Sequence, residues 1–416
     1  MSADRRPPAA PSGSYAEEVA RLLWPAPWDA PYVTRRGPGG GGTHRAAYVF
    51  PSERRPRMLV PVDVPGSAEM VQRLGGPASR LMRPARHLLE RSVRSRALGL
   101  VPWPVLRVPA APGGAESVED HLADALGHDV RIGVLLGTRR VNQKPVLQVF
   151  DRAGVLRAYA KIGHNELTTD LVRREAASLT TVGHRPRTFR VPRLLHHGRW
   201  SGLEVLVVSP LATDRDARVP PPARSAAARE LALLSGTRDA ALADSSWWCR
   251  TRRNASLLRD EPYGARLAAV VRAVEAASGP TTLRFGGWHG DWGAWNMGMG
   301  GGTLHVWDWE RYDADVPLGF DGLHFAAQAV RPGDRQARTQ ERVFLDSLPV
   351  SLRPFRVPVS LHGLTLRLYL LEVGVRYVEA LTHGATPALE RRTSWVLSLL
   401  ERLLDEPTDP PTQGRP

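Results

Sequence analysis

Residues 287–310 carry the stretch GWHGDWGAWNMGMGGGTLHVWDWE, which places five tryptophans around two histidines and two aspartates. Asn296 follows Asp291 by five residues, and Asp308 comes directly after the strand-like segment TLHVW. Phosphoryl-transfer sites use this order, because one aspartate accepts the proton of the acceptor hydroxyl while an asparagine and a second aspartate bind magnesium. Magnesium prefers oxygen ligands, which both side chains offer. The order therefore predicts Asp291 as the base and Asn296 and Asp308 as ligands of Mg²⁺.

The same residues resemble the catalytic loop and metal-binding strand end of the aminoglycoside phosphotransferase family, small-molecule kinases with a protein-kinase-like fold. The family pattern is H-G-D-x-x-x-x-N followed by D-W or D-x-E. It is matched residue by residue by His289, Gly290, Asp291, Asn296 and Asp308. The resemblance implies an α+β, two-lobe fold, with a small strand-rich N-lobe holding one helix and a larger helical C-lobe. It also implies ATP and Mg²⁺ as cofactors.

The resemblance further implies a lysine on the third strand of the N-lobe and a glutamate on the helix that follows. Lys161 lies in AYAKIG, the third of three strand-like runs, and Glu175 lies in the helical segment VRREAASL. Only two of the 56 cationic residues are lysines, Lys144 and Lys161, so a lysine here is notable. Lys161 is implied to hold the α- and β-phosphates, and Glu175 to orient it.

Further nucleotide contacts are expected at the hinge and at the first strand pair. Residues 206–211, LVVSPL, resemble the hinge whose backbone pairs with adenine, which implies Ser209 and Leu211 as contacts. The first strand pair, GVLLGTRRVNQ, lacks the G-x-G-x-x-G pattern. We expect Gly137, with Arg139 and Arg140, to cover the phosphates instead.

Several residues near the candidate base are expected to be structural. The His289 imidazole is expected to bond backbone near the metal-binding turn, and Asp321 in GFDG to brace the catalytic loop. Indole is large and mostly buried in proteins, so the five tryptophans are predicted to pack in the core. The alternative for Trp292 and Trp295, that they wall the acceptor pocket, stays open.

The chain divides into five segments by pattern. We expect a disordered leader over 1–13, an α/β N-terminal extension of unknown role over 14–125, an N-lobe with its hinge over 126–211, a helical C-lobe over 212–405, and a disordered tail over 406–416. The strand-like runs after residue 131 predict an antiparallel meander, and residues 46–63 predict a hairpin. Helical spacing covers residues 68–98, and Ser117 precedes an acidic turn that predicts a helix start.

Composition bounds the class of protein. The net charge of +14 comes almost wholly from scattered arginines, a pattern that does not favour a nucleic-acid partner. No apolar run reaches the length of a membrane helix, and the first residues lack the apolar segment of a signal peptide. The single cysteine, Cys249, excludes an internal disulfide. We therefore expect a cytoplasmic protein without a membrane partner, and the oligomeric state is open.

Phosphoryl transfer to a hydroxyl of a small molecule is the function that these patterns favour. A catalytically idle kinase-like binding module is the first alternative. A metal hydrolase using His289, Asp291, His305 and Asp308 is the second, and it explains neither Lys161 nor the glutamate that follows it. Aminoglycosides are polycations and the chain is basic, so sugars, amino alcohols and anionic metabolites stay open as acceptors.

Overall fold

The computed structural model has the α+β architecture expected from the sequence, with a strand-rich unit and a helical unit. The strand-rich unit comprises residues 1–176 and 193–210, and the helical unit comprises residues 177–192 and 211–416. The structure describes residues 14–35, 43–73, 83–111, 113, 115–137, 143–214 and 217–405. The predicted leader and tail lie outside these residues. Within them, no helix is long and apolar enough to cross a membrane.

One nine-stranded antiparallel sheet forms the strand-rich unit. Its strands are β1 (Tyr32–Thr34), β2 (Thr43–Phe50), β3 (Met58–Pro61), β4 (Val105–Pro109), β5 (Arg131–Leu135), β6 (Val146–Phe150), β7 (Leu156–Gly163), β9 (Leu194–Trp200) and β10 (Leu203–Val208). They lie in the order β1-β4-β2-β3-β5-β6-β7-β10-β9. The predicted meander is confirmed as β5-β6-β7, and the predicted hairpin is confirmed as β2-β3.

The predicted extension contributes its strands to this same sheet. Strand β3 pairs with β5, with Met58 opposite Leu135 and Leu59 opposite Val134. Strand β5 would otherwise present unpaired backbone groups at a sheet edge, which proteins usually cover. The division at residue 126 remains a prediction about domains, and the sheet runs across it.

Helices flank the sheet, and their ends follow local sequence signals. They are α1 (Tyr15–Leu23), α2 (Arg83–Arg94), α3 (Val118–Leu126) and α4 (Glu166–Val182), the last of which ends in the helical unit. The predicted start at Ser117 is confirmed, because Ser117 and Asp120 form a reciprocal capping box. The helical spacing of residues 68–98 corresponds, within the described residues, to a 3₁₀ segment (Pro65–Arg73) and α2.

The helical unit surrounds two small sheets. Its helices are α5 (Pro221–Leu234), α6 (Ser246–Leu257), α7 (Gly264–Ser278), α8 (Phe320–Ala327), α9 (Ala337–Asp346), α10 (Leu348–Leu352), α11 (His362–His383) and α12 (Pro387–Asp405). Its strands are β8 (Phe189–Arg190), β11 (Arg238–Ala241), β12 (Thr282–Trp288), β13 (Met297–Gly300), β14 (Thr303–Val306) and β15 (Asp313–Pro317). They form the sheets β11-β12-β15 and β13-β14-β8.

Aromatic packing in the helical unit fixes the two elements that carry the candidate site. The ring of Phe320, the first residue of α8, meets Trp288, the last residue of β12, edge-on at 5.3 Å. Tyr369 of α11 packs edge-on against Phe320 at 5.9 Å. All three side chains are buried. Such pairs add roughly 0.5–1.5 kcal/mol beyond their burial, so the end of β12 is held against α8 and α11.

Candidate active site

The segment that follows β12 turns sharply at Gly290. This residue has φ +84°, and a Cβ atom at this position would lie 2.2 Å from the carbonyl oxygen of Arg311. Only glycine fits both the left-handed backbone and the close approach. The chain then passes through a 3₁₀ turn, Ala294–Asn296, into the β13-β14 hairpin. This geometry accounts for the glycine of the H-G-D pattern.

His289 is a structural residue, as the sequence predicts. Its ring is fully buried, Nε2 lies 3.1 Å from the carbonyl oxygen of Trp307, and Nδ1 accepts a hydrogen bond from the Asp291 N–H at 3.2 Å. Because a carbonyl only accepts and an N–H only donates, the proton lies on Nε2. Burial lowers the pKa of His289 to about 4, so the ring is neutral at pH 7.

Asp321 braces the loop, which confirms its predicted place. Its carboxylate accepts hydrogen bonds from the backbone N–H groups of His289, at 2.8 Å, and Gly290, at 3.4 Å. Burial raises the pKa of Asp321 to about 7. On the other side of the turn, Arg376 of α11 donates to the Gly290 carbonyl oxygen at 2.7 Å and lies 4.4 Å over the Trp288 ring.

The candidate base, Asp291, is held by three hydrogen-bond donors. Its Oδ2 accepts from Asn296 Nδ2 at 2.8 Å and from Trp295 Nε1 at 3.2 Å, and its Oδ1 lies 3.3 Å from His324 Nε2. Burial alone raises the pKa of this carboxyl, but the bonds from His324 and Trp295 outweigh it and hold the pKa below its usual value. Asp291 is therefore ionised at neutral pH, with 34% of its side chain exposed.

His324 is a site residue that the sequence analysis missed. It lies one turn after Asp321 on α8 and is buried, and burial lowers its pKa. Its Nδ1 lies 3.3 Å from the Tyr369 hydroxyl, and the Gln328 amide nitrogen lies 2.9 Å from its Nε2. The ionised Asp291 can only accept and the Gln328 amide nitrogen can only donate, so Nε2 can bond to only one of them. We assign the ring proton to Nε2, facing the charged partner Asp291, because hydrogen bonds to an ionised acceptor are the stronger ones. The i, i+3 spacing of FDGLH, which puts both residues on one helix face, was the available signal.

The candidate metal ligands come together at the end of the hairpin. The Asn296 carbonyl oxygen accepts from the Trp307 N–H at 3.0 Å, which brings Asn296 beside Asp308. Asn296 Nδ2 is bound to Asp291, so its Oδ1 is the atom available to a cation. Asp308 lies in a left-handed turn with φ +70°. Its carboxylate and that of Glu310 have oxygens within 4.8 Å of each other.

These side chains supply hard oxygen donors of the kind that Mg²⁺ takes from proteins. The donor set therefore fits magnesium. The sequence analysis did not select Glu310, although the D-x-E spacing contains it. Residues 308 and 310 lie on either side of a buried tryptophan, Trp309, whose Nε1 donates to the Val306 carbonyl oxygen at 3.1 Å.

Lys161 and Glu175 form a close ion pair in the strand-rich unit. The Lys161 Nζ donates to both carboxylate oxygens of Glu175, at 2.7 and 2.6 Å. The lysine side chain is 13% exposed and the glutamate side chain 2%. A carboxylate that accepts two hydrogen bonds from the ammonium fixes the position of the ammonium, so the positive charge of Lys161 is held in one place.

The remaining predicted nucleotide contacts are placed as follows. Ser209 bonds to Arg193 twice, donating its N–H to the carbonyl oxygen at 2.9 Å and accepting the N–H at its Oγ at 2.9 Å. The Leu211 N–H has no hydrogen-bond partner in the part of the chain that the structure describes. Gly137 has φ +64° and donates its N–H to Arg57 at 3.1 Å. The other predicted phosphate contacts, Arg139 and Arg140, lie outside the described residues.

The prediction that the five tryptophans pack in the core holds for most of them. Trp288, Trp292 and Trp309 are buried, and Trp307 is partly buried. Trp292 packs edge-on against the His289 ring at 5.8 Å and so supports the loop from inside. Trp295 is the exception, since it is 52% exposed beside Asp291. The packing prediction is wrong for this residue because its N–H is drawn to a partly exposed carboxylate.

The chain is similar in structure to several known proteins, although no protein-family model and no curated protein matches its sequence. A solved structure of a thermostable mutant of aminoglycoside phosphotransferase APH(4)-Ia matches with a TM-score of 0.45 and 16% identity, covering 69% of this chain and 98% of that one. A putative fructosamine-3-kinase from Haemophilus somnus 129PT matches with a TM-score of 0.41 and 12% identity, covering 68% and 96%. A glucosamine kinase in complex with glucosamine, ADP and inorganic phosphate matches with a TM-score of 0.34 and 18% identity, covering 71% and 85%. All three similarities are at low sequence identity.

Proposed function

We propose that this protein is a phosphotransferase that moves the γ-phosphoryl group of ATP to a hydroxyl of a small molecule, with Mg²⁺. The observation that carries the proposal is the position of the Asn296 side chain, which contacts the candidate base and also belongs to the candidate metal site. Its amide nitrogen holds the ionised Asp291 at 2.8 Å, and its amide oxygen remains for a cation beside Asp308. Phosphoryl transfer needs an oriented carboxylate and an oxygen-liganded metal in this relation.

Asp291 would serve the acceptor. Its hydrogen-bond donors keep it ionised, and an ionised carboxylate accepts the proton of the acceptor hydroxyl. A carboxylate with a low pKa is a weak base, so its main contribution is to orient the hydroxyl oxygen for attack. Positioning supplies most of the catalysis in this reaction class.

Lys161 would serve the nucleotide. Glu175 binds the lysine ammonium at two points, so the charge is placed before the phosphates arrive. Asn296, Asp308 and Glu310 would hold Mg²⁺, which, when bound, neutralises the phosphate oxygens as negative charge develops on them. The Leu211 N–H would donate to the adenine ring. Gly137 and Ser209 remain proposed neighbours of the nucleotide. The Ser209 N–H would not contact it, because it already donates to the Arg193 carbonyl oxygen.

The metal hydrolase alternative is disfavoured by two contacts of His289. It needs an imidazole nitrogen of His289 as a ligand, but both ring nitrogens already bond to backbone groups. The idle binding module leaves unexplained why Asp291 is ionised and partly exposed. Catalysis separates that alternative from the proposal.

The experiment is a thermal-shift titration with ATP, with and without Mg²⁺, followed by an ADP-release assay over a panel of hydroxylated small molecules. Binding at about one hundred times the Kd stabilises a protein by roughly 2.7 kcal/mol, which raises its Tm by several degrees. We expect Asp308→Asn to lose the magnesium-dependent part of this shift. Asp334→Asn, at an exposed aspartate in the same unit, is the matched control.

Asp291→Asn tests the acceptor half. We expect it to keep the Mg²⁺–ATP shift and to lose phosphoryl transfer, because a neutral amide orients the acceptor hydroxyl less strongly and cannot take up its proton. No thermal shift in the wild type at millimolar ATP would refute the proposal. So would equal transfer rates in the wild type and Asp291→Asn.

A further inference from the structure

Trp295 is the one exposed tryptophan among the twelve in the chain, all of which lie within the described residues. It belongs to the 3₁₀ turn Ala294–Asn296 and follows Asp291 by four residues. Indole offers a large apolar surface whose exposure to water is unfavourable, so an exposed indole beside a functional carboxylate is informative.

The orientation of this indole is fixed by two contacts. Its Nε1 donates to Asp291 Oδ2 at 3.2 Å. Its six-membered ring lies on the backbone of Gly293, where an added Cβ would come within 2.4 Å of Trp295 Cζ2 and 2.5 Å of Cε2. One face of the ring is therefore covered by a glycine that leaves room for it. The opposite face accounts for the exposed half, and the ring edge with Nε1 borders the carboxylate.

We propose that the exposed face of Trp295 receives the C–H face of a neutral pyranose ring, and that Trp295 selects a sugar as the acceptor. This inference rests on the proposed function for the role of the sugar as acceptor. An indole face carries negative π-density, and the axial hydrogens of a pyranose form an apolar, slightly positive face that complements it. The equatorial hydroxyls project from the rim of the sugar.

Stacking also delivers a hydroxyl to the base. Because the indole edge borders Asp291, a sugar stacked on the exposed face presents its rim to that partly exposed carboxylate. Contact at the face thus fixes the position of the hydroxyl at the rim, which is the positioning that phosphoryl transfer requires.

Other ligands fit this surface less well. Aromatic recognition of an organic cation commonly surrounds the charge with several rings. Among the described tryptophans only Trp295 is exposed, and the chain carries a net charge of +14, which does not attract cations. A linear polyol has the hydroxyls but lacks a continuous C–H face.

The test is calorimetric titration without nucleotide, using glucose, galactose and maltose as neutral pyranose probes, sorbitol as the linear probe and glucosamine as the cationic probe. Two variants separate the ring from its N–H: Trp295→Phe keeps an aromatic face, and Trp295→Gln keeps a donor. With the pyranose that binds, we expect Kd to rise about tenfold or more in Trp295→Gln and by less than about threefold in Trp295→Phe. Gly293→Ala, which displaces the ring, should match Trp295→Gln.

Acrylamide quenching locates the contact. The difference in tryptophan fluorescence quenching between the wild type and Trp295→Phe gives the contribution of the exposed indole. A bound pyranose should protect this indole from the quencher. Absence of protection by any pyranose, binding by Trp295→Gln as tight as that of the wild type, or preference for sorbitol or glucosamine would overturn the inference. Pyranose binding through Trp295 in a protein that transfers phosphate to no member of the acceptor panel would support the stacking site and refute the proposed function. Phosphoryl transfer to an acceptor whose KM is unchanged in Trp295→Gln would refute this inference and support the proposed function.

Discussion

His324 sets the orientation of Asp291, and two substitutions separate this role from packing. A glutamine amide nitrogen reaches the position of the imidazole Nε2, which lies 3.3 Å from Asp291 Oδ1. An asparagine amide reaches the position of Nδ1, which lies 3.3 Å from the Tyr369 hydroxyl. His324→Gln therefore keeps the donor to the carboxylate and loses the contact with the tyrosine, and His324→Asn does the opposite.

The expected loss follows from one hydrogen bond to a charged group. Such bonds contribute about 1.5–3 kcal/mol, and the 3.3 Å separation places this one toward the lower end of that range. Since 1.36 kcal/mol corresponds to a factor of ten in rate, His324→Asn should reduce kcat about 10- to 30-fold. The nucleotide contacts are not altered, so KM for ATP should stay the same. His324→Gln should keep kcat within about threefold of the wild type.

Stability controls for the general effect of replacing a buried ring. Each variant leaves one buried partner unsatisfied, which costs about 1–3 kcal/mol, so both should lose a similar amount of unfolding free energy. Steady-state kinetics with the best acceptor and urea unfolding check the two expectations. Equal kcat in the two variants, at equal stability, would refute the orienting role and leave His324 as a packing residue.

Two further predictions concern charge. Glu175→Gln should remove the charge partner of Lys161, weaken the ATP-dependent thermal shift and cost about 1–3 kcal/mol of stability. Glu204→Gln is the control, because Glu204 is another buried, paired acid of the same unit; it should cost a similar amount of stability without changing the thermal shift. The folded-state pKa of His289 is lowered to about 4, so the unfolded chain binds more protons between about pH 4 and 6.5, and the wild type should lose up to about 3 kcal/mol relative to His289→Gln as the pH falls through that range. Urea midpoints of the two proteins measure this difference in stability. The raised pKa of Asp321 makes stability change with pH in the opposite direction, but both proteins contain Asp321, so the difference between them is unaffected. A difference that stays constant across the pH range would contradict the prediction.

The sequence predicts the parts of the site that local spacing and scarce residue types reveal. Lys161 could be selected because the chain has two lysines, and Glu175 because it follows on the next helix. The structure joins the two at 2.6–2.7 Å, across fourteen residues of chain. The bracing role of Asp321 was also predictable, because the resemblance noted in the sequence implies an aspartate at this point after the catalytic loop.

What the sequence could not predict depends on contacts between distant segments. His324 meets Asp291 across 33 residues, and the contact exists only because α8 packs under the turn after β12. The pairing of β3 with β5 is likewise invisible in alternation patterns, which indicate a strand but not its neighbour. The exposure of Trp295 was not predicted, because tryptophan is usually buried and because a loop has no periodicity that separates an inner face from an outer one.

The crowding of indole around few acids has a physical explanation in the turn itself. A sharp turn cannot satisfy its own backbone groups, so side chains from other elements do so: Asp321 binds the N–H groups of His289 and Gly290, and Arg376 binds the Gly290 carbonyl oxygen.

Hydrogen bonds of this kind are stronger where close packing excludes water, and large rigid indoles provide such packing with little loss of side-chain entropy. Trp288, Trp292 and Trp309 fill that space, and the result is a carboxylate whose position is fixed before any ligand binds. Trp295 differs from these rings, because it donates its N–H to this carboxylate and is 52% exposed. The hydrogen bond to Asp291 and the contact with Gly293 hold this ring in place, and its exposed surface is the part that the proposed sugar would cover.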